Sequence, residues 1–142
     1  MDTGSDRAIV LYDRDCGFCR SCLALLLVWD RAGRLEPLAL QDPQAADLLP
    51  GLGEQARMAS WHAVADGQAR SGGDAFPPVL RRLPGGQPLA ALVASAPGPT
   101  AAAYRWIAEH RTGLSRFVPR AVKARADRVI ATRVARADPT AS

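Results

Sequence analysis

Tyr12-Asp13-Arg14-Asp15-Cys16-Gly17-Phe18-Cys19-Arg20-Ser21-Cys22 sets two acids and three evenly spaced cysteines between unlike neighbours. Ahead of it, Ile9-Val10-Leu11-Tyr12 is a β-branched and aromatic run that suits a buried strand. Behind it, over residues 17–31, apolar side chains recur at helical spacing. The cysteines therefore lie where a strand gives way to a helix. The first turn of a helix carries unpaired N–H groups and the positive end of the macrodipole, and both favour a thiolate over a thiol. A Cys-x-x-Cys in that place is a redox site by mechanism.

Working outward, residues 8–12 form the first strand. The helix over 17–31 has Phe18, Cys22, Leu25, Leu26 and Trp29 on its most apolar face, with Gly33 as the stop signal. Residues 35–40 read as a second strand, and Pro37 within it points to an edge or a bulge. Two strands joined by a helix make a parallel pair. Asp42 and Pro43 are N-cap and first residue of a second helix, over 45–49. Residues 59–65 read as a third strand, Asp66-Gly67 as a hairpin turn and residues 68–71 as its antiparallel return. Gly72-Gly73-Asp74 then caps a helix through Leu83, with Pro77-Pro78 in its first turn. The order βαβ, α, ββα is that of a thioredoxin-like α/β fold, in which the Cys-x-x-Cys follows strand one. Three further helical stretches, 88–94, 99–111 and about 119–137, are added at the C-terminus.

At 142 residues and 48% hydrophobic, the chain has the length for one domain and an appendage. The division expected is a disordered N-terminus over 1–7, a thioredoxin-like domain with appended helices over 8–112, and a basic amphipathic helix and tail over 113–142. The N-terminus lacks a basic region followed by an apolar one, and the longest apolar run, 23–29, falls far short of the roughly 20 residues that span a bilayer. A cytoplasmic protein without a transmembrane segment is expected. Three cysteines within seven residues also exclude the long-range disulfide framework of a small secreted domain.

The net charge of +4 is unevenly held. Residues 1–110 carry ten Arg and twelve acids, whereas residues 111–142 carry eight Lys or Arg against Asp127 and Asp138. A nucleic-acid-binding domain would spread its basicity over the folded face, so no nucleic-acid partner is expected. In the tail, Val118, Val122, Val129 and Ile130 fall near one face of a basic helix. Three readings compete for it: packing on the domain with a solvated charged face, an interfacial helix on a membrane surface, or a patch for nucleic acid or an acidic partner.

Cys16 and Cys19 lie one turn apart, within reach of a disulfide, and in such pairs the N-terminal thiol attacks while the second resolves. Cys16 is thus the candidate nucleophile and Cys19 the candidate resolving thiol. Cys22, two turns on, is expected as a small core residue, with a Cys19–Cys22 bond as the alternative. An iron–sulfur run wants a fourth thiolate, which the chain lacks, and zinc would need His62 or His110 brought in. His62 reads as a half-buried sheet residue and His110 as a charge at a helix C-terminus, so neither metal nor other cofactor is expected. Asp13 and Asp15 would raise thiol pKa values, against the helix N-terminus and the nearby Arg14 and Arg20. Asp15 is expected to cap the helix through an Asx turn, and Asp13 to accept a proton from Cys19.

The residues from Tyr12 to Cys19 resemble the signature of the DCC family of thiol-disulfide oxidoreductases, whose Asp-x-x-Cys-x-x-Cys pattern falls here on Asp13, Cys16 and Cys19. The similarity runs over about 8–117 and takes in Gln41-Asp42-Pro43, Gly73-Asp74-Ala75, Leu83-Pro84-Gly85, and Tyr104-Arg105-Trp106 with Arg111. It implies a small thioredoxin-like protein that exchanges a dithiol–disulfide pair with a protein or a low-molecular-weight thiol. The competing expectation is a non-catalytic thioredoxin-like module with inert thiols, whose basic C-terminal helix engages an acidic partner or a membrane. Thioredoxins also carry a cis-proline just before the third strand, where this chain has Ala59-Ser60 ahead of Trp61.

Overall fold

A computed structural model of the chain describes residues 7–137. The disorder expected at the N-terminus lies outside the described residues except at Arg7, whose guanidinium pairs with Glu36 at 2.9 Å. Strand β1 (Ala8–Tyr12) is central in a four-stranded sheet. On one side runs β2 (Leu35–Ala39), parallel, in register from Ala8 opposite Leu35 to Tyr12 opposite Ala39. On the other runs β3 (His62–Ala65), antiparallel, followed by β4 (Gln68–Ser71). The order β2-β1-β3-β4 puts Pro37 on an edge strand, which tolerates its missing N–H. The β3–β4 turn has positive φ at both Asp66 (55°) and Gly67 (74°), the backbone that joins two antiparallel strands with least splay.

Strand β1 is a nearly unbroken apolar run because it is covered on both faces. Ala8, Val10 and Tyr12 belong to the larger core, with Leu23 and Leu27 of α1 (Gly17–Trp29) and Val79 and Leu80 of α4 (Phe76–Arg81). Leu11 faces the other way, against Leu40, Ala45 and Leu49. That second cluster is roofed by α2 (Pro43–Leu48), where the Asp42 carboxylate accepts the Gln44 N–H at 2.9 Å as the sequence predicts. A short helix α3 (Glu54–Met58), not foreseen in this polar stretch, precedes β3. Then α5 (Gln87–Ser95), α6 (Pro97–Phe117) and α7 (Arg120–Ala137) complete a thioredoxin-like α/β fold with extra C-terminal helices.

Two predicted helix faces are corrected. In α1 the buried residues are Leu23, Ala24 and Leu27, while Leu25 is 72% exposed and Cys22, expected in the core, is exposed. Residues 23–28 are apolar without a break, so their periodicity cannot select a face; the sheet and α7 select it. In α7 the buried side chains are Ala126 and Ile130, while Val122 and Val134 are exposed. Small Ala126 lets the helix approach α1 closely.

The tail's basicity is partly spent on that contact. Arg133 reaches the fully buried Asp30 carboxylate at 2.6 Å, while Asp127, an acid of α7, takes Arg20 of α1 at 2.8 Å. Arg133 also donates to the carbonyls of Leu27, Asp30 and Leu35. The last carbonyls of α1, which have no partner within the helix, are thus supplied by a guanidinium 103 residues away. Asp30 in turn accepts the N–H groups of Arg34 and Leu35, which fixes the turn into β2.

Among the described residues no helix is long and apolar enough to cross a membrane. His62 is buried, deeper than the half-buried position expected. Because the Arg57 carbonyl at 2.9 Å can only accept, Nε2 carries the hydrogen and Nδ1 accepts from the Ser71 hydroxyl at 2.6 Å.

Two outcomes are expected from this packing. Arg133→Met leaves the Asp30 carboxylate buried beside its N–H partners, and urea titration should show a loss of about 3–5 kcal/mol. Arg128→Met, on the exposed side of the same helix, should change stability by less than about 0.5 kcal/mol. Burial holds the His62 pKa below the ordinary 6.5, so on acidification the unfolded chain takes up this proton first. Stability should therefore fall as pH drops below about 6.5, with a shallower slope in His62→Gln.

Candidate redox site

The loop from β1 into α1 is shaped by Asp13. Its Oδ1 accepts the Asp15 N–H at 2.9 Å and the Gln41 side-chain amide at 2.8 Å. Its Oδ2 faces the Arg111 guanidinium at 3.7 Å. Arg111, on α6, also donates to the Met58 carbonyl at 3.0 Å, so one side chain ties α6 to the end of α3 ahead of β3 and to the cysteine loop. Gln41 closes the other side: its Oε1 accepts the Arg14 N–H at 3.1 Å. The Asx turn expected of Asp15 thus belongs to Asp13, two residues earlier. The consequence is that the helix begins one residue later than a cap at Asp15 would place it.

Cys16 is itself the N-cap of α1. Its backbone is extended (φ −97°, ψ 112°), and its Sγ accepts the Cys19 N–H at 3.4 Å. A sulfur replaces the oxygen that usually takes this bond, so the helix terminus acts directly on the thiol. The hydrogen bond from the Cys19 thiol is the strongest influence on Cys16; the Cys19 N–H and the Arg111 charge act the same way. Burial and the Asp13 charge oppose them, and the net effect lowers the Cys16 pKa to about 6. Cys19, the donor in that bond, is pushed above the ordinary thiol range by the bond, by burial and by the Cys16 charge. The pair thus favours the thiolate at Cys16 and the thiol at Cys19. Arg14 and Arg20 are not the decisive cations. Arg20 turns to the Arg14 carbonyl at 2.7 Å and to Asp127.

Two clefts open on either side of the pair. On the Cys19 side a cleft of about 250 Å³ is almost wholly apolar, with Phe18, Leu26, Trp61, Phe76 and Tyr104 in its walls and Cys22 beside Cys19. Trp61 and Phe76 lie 4.7 Å apart, and the Tyr104 hydroxyl accepts the Trp61 N–H at 2.9 Å. Ser60 and Trp61 line this cleft where thioredoxins place their proline, and no peptide bond among the described residues is cis. Although Cys22 is exposed as a residue, the apolar wall it lines keeps water from its thiol, and this and the Cys16 charge raise its pKa. On the Cys16 side a polar cleft of about 290 Å³ is lined by Asp13, Asp15 and Arg111 with further cations and hydroxyls of α6 and α7.

The fold thus brings Cys16, Cys19 and Asp13 together and leaves Asp15 exposed at the rim, its Oδ2 3.4 Å from the Gln41 amide. Sequence reasoning passed over Gln41 and Arg111 as site residues, although both lie within motifs it singled out. The histidines stand elsewhere. His62 is engaged in the sheet, and His110 stacks on Trp106 at 4.3 Å inside α6, which continues to Phe117 rather than ending near residue 111. Among the described residues no group of three or more His, Cys, Asp or Glu is arranged to hold a metal.

Comparison with curated proteins and with solved structures gives no match. The family model for DCC1-like thiol-disulfide oxidoreductases matches residues 10–117, which span the cysteine loop, the rest of the sheet after its first strand, and the whole of α6 with Arg111. With about three quarters of its length matched and the dithiol at the head of α1, the chain belongs to the DCC1-like thiol-disulfide oxidoreductase family.

Proposed function

We propose that the protein exchanges a dithiol–disulfide pair with a protein or low-molecular-weight substrate, with Cys16 attacking and Cys19 resolving. The observation that carries this reading is the seat of Cys16, an N-cap whose sulfur takes the Cys19 N–H and whose pKa is about 6. At neutral pH that sulfur is mostly thiolate, the nucleophilic form, while Cys19 keeps its proton. The Cys16 thiolate attacks one sulfur of the substrate disulfide; the mixed disulfide forms and the other half leaves as a thiolate. Cys19 then gives up its proton and attacks Cys16, releasing the second half as a thiolate and closing the Cys16–Cys19 disulfide. Two electrons pass from protein to substrate, and the reverse sequence runs as an oxidation.

Asp13 is the proposed acceptor of the Cys19 proton. Its carboxylate is close enough to both thiols for its charge to act on each, and its side chain is only 12% exposed. Asp15 takes the outer place, at the rim where a substrate enters. A dithiol at work suits a reducing compartment, so the cytoplasm is the proposed location. The inert-scaffold alternative is disfavoured by the ionised thiol at Cys16, and the packing of α7 on α1 gives the basic helix a structural role without an outside partner.

Alkylation of Cys16 by iodoacetamide, followed by mass spectrometry, should titrate with a midpoint of about 6, and Cys22→Ser should keep that midpoint. A midpoint near the ordinary 9.0 would sink the proposal. The same shift links to stability. Between about 6 and 9.0 the folded dithiol has released a proton that the unfolded chain still holds, so the reduced protein should gain stability as pH rises through that range. Above 9.0 the raised Cys19 reverses the slope. Asp13→Asn removes a charge that raises the Cys16 pKa, so the alkylation midpoint should drop below that of the native protein. Closure of the mixed disulfide should nevertheless slow by about tenfold or more. An unchanged closure rate takes Asp13 out of the proton path.

A further inference from the structure

The polar cleft beside Cys16 is built from parts that the thiol chemistry leaves over. Its cations, Arg111, Arg116 and Lys123, come from α6, the α6–α7 end and α7, outside the βαβ-ββα core. Arg111 is engaged by Asp13 and by the Met58 carbonyl, and it steadies the Cys16 thiolate. Arg116 and Lys123 have no acidic partner among the described residues and are not among the groups that set the Cys16 pKa. Thr112 and Ser115 add two hydroxyls one helical turn apart on the same wall.

Lys123 is also held in place by what α1 lacks. A Cβ on Gly17 would stand 2.6 Å from the Lys123 Cε and 3.0 Å from the Ser115 Oγ. The lysine stem therefore lies across the first turn of α1, directly beside the attacking cysteine, in space that a β-carbon at residue 17 would make it give up. The cleft, about 290 Å³, equals roughly ten waters in volume, at the small end of ligand sites and too small for a folded partner's side chains in number. Of its two acids, Asp13 is paired with Arg111, and Asp15, bonded to the Gln41 amide, stands at the rim.

We infer that this cleft is a subsite for the carboxylate of an anionic low-molecular-weight disulfide, held by Lys123 and Arg116 with Thr112 and Ser115, so that the substrate sulfur is presented to Cys16. The inference rests on the dithiol reading above and names the substrate class for it. The chemistry is the same exchange: Cys16 takes one half of the anionic disulfide into the mixed disulfide, the other half leaves as a thiolate, and closure by Cys19 releases the first. The subsite contributes by raising the local concentration of anionic substrate and orienting it, effects that salt screens.

The test oxidises the reduced full chain with three symmetrical disulfides: dithiodipropionate (anionic), hydroxyethyl disulfide (neutral) and cystamine (cationic). Formation of the Cys16–Cys19 disulfide is followed by mass spectrometry at low salt. Each rate is divided by that of the same disulfide with free mercaptoethanol, and the anionic-to-neutral ratio is the readout. The native ratio should exceed one and fall by about threefold in Lys123→Gln and again by about threefold in Arg116→Gln. Lys123→Glu should favour cystamine, and Asp15→Asn should raise the anionic preference. Added salt should bring the native ratio towards one. Equal normalised rates for the three disulfides, or a ratio unmoved by both substitutions, overturns the subsite while leaving the dithiol exchange standing. No oxidation by any of the three overturns the exchange itself and the subsite with it. Because Arg116 is exposed, its variant keeps the test valid should a Lys123 variant fold poorly.

Discussion

The Asp13 carboxylate holds the turn between β1 and α1 from three directions, and the redox chemistry depends on the resulting geometry. An N–H from Asp15, the Gln41 amide and the Arg111 guanidinium all converge on it. With the turn closed in this way, the chain enters α1 at Cys16, whose sulfur becomes the acceptor for the Cys19 N–H in the first turn of the helix. Had Asp15 served as the cap, its carboxylate would have taken the free N–H that the Cys16 sulfur accepts, and the thiol would have lost that direct bond. The cost of the arrangement is a negative charge near both cysteines. It is offset by the hydrogen bond from the Cys19 thiol, by the Cys19 N–H and by Arg111, which pairs with Asp13 and acts on Cys16 at once.

Arg111 also explains why the added helices matter to a site formed in the core. It reaches from α6 to the Met58 carbonyl ahead of β3, so the two chain segments facing the dithiol are held by one guanidinium. At the other end of α1, Arg133 from α7 supplies the terminal carbonyls and the buried Asp30. The helix that carries the cysteines is thus fixed at its start by α6 and at its end by α7. A buried ion pair is a poor source of net stability but a strong source of register, because any slip leaves a charge uncompensated in the interior.

The two clefts differ in kind because they are built from different layers. The apolar one lies between α1, β3 and the aromatic cluster of Trp61, Phe76 and Tyr104, where the core reaches the surface. The polar one lies where α6 turns into α7, and its walls are side chains that have no place in the core. Cys16 and Cys19 therefore stand at the boundary between a charged and an apolar surface.

The sequence by itself determined the order of the strands and of every helix but α3, the parallel pairing of the first two strands, the hairpin at Asp66-Gly67 and the position of the dithiol at a helix start. Those features follow from local chemistry: β-branched runs, a helix-capping acid, a turn needing positive φ, and cysteine spacing. Local chemistry could not say which face of Leu23-Ala24-Leu25-Leu26-Leu27 is buried, since every residue there is apolar and only the sheet and α7 break the tie. Nor could it distinguish Asp13 from Asp15 as the acid of the turn, because the choice rests on Gln41 and Arg111, 28 and 98 positions from Asp13 in sequence. The thiolate at Cys16 was legible as a tendency of its place. Its strength was decided by tertiary structure, through the proton that Cys19 keeps and the charge that α6 brings.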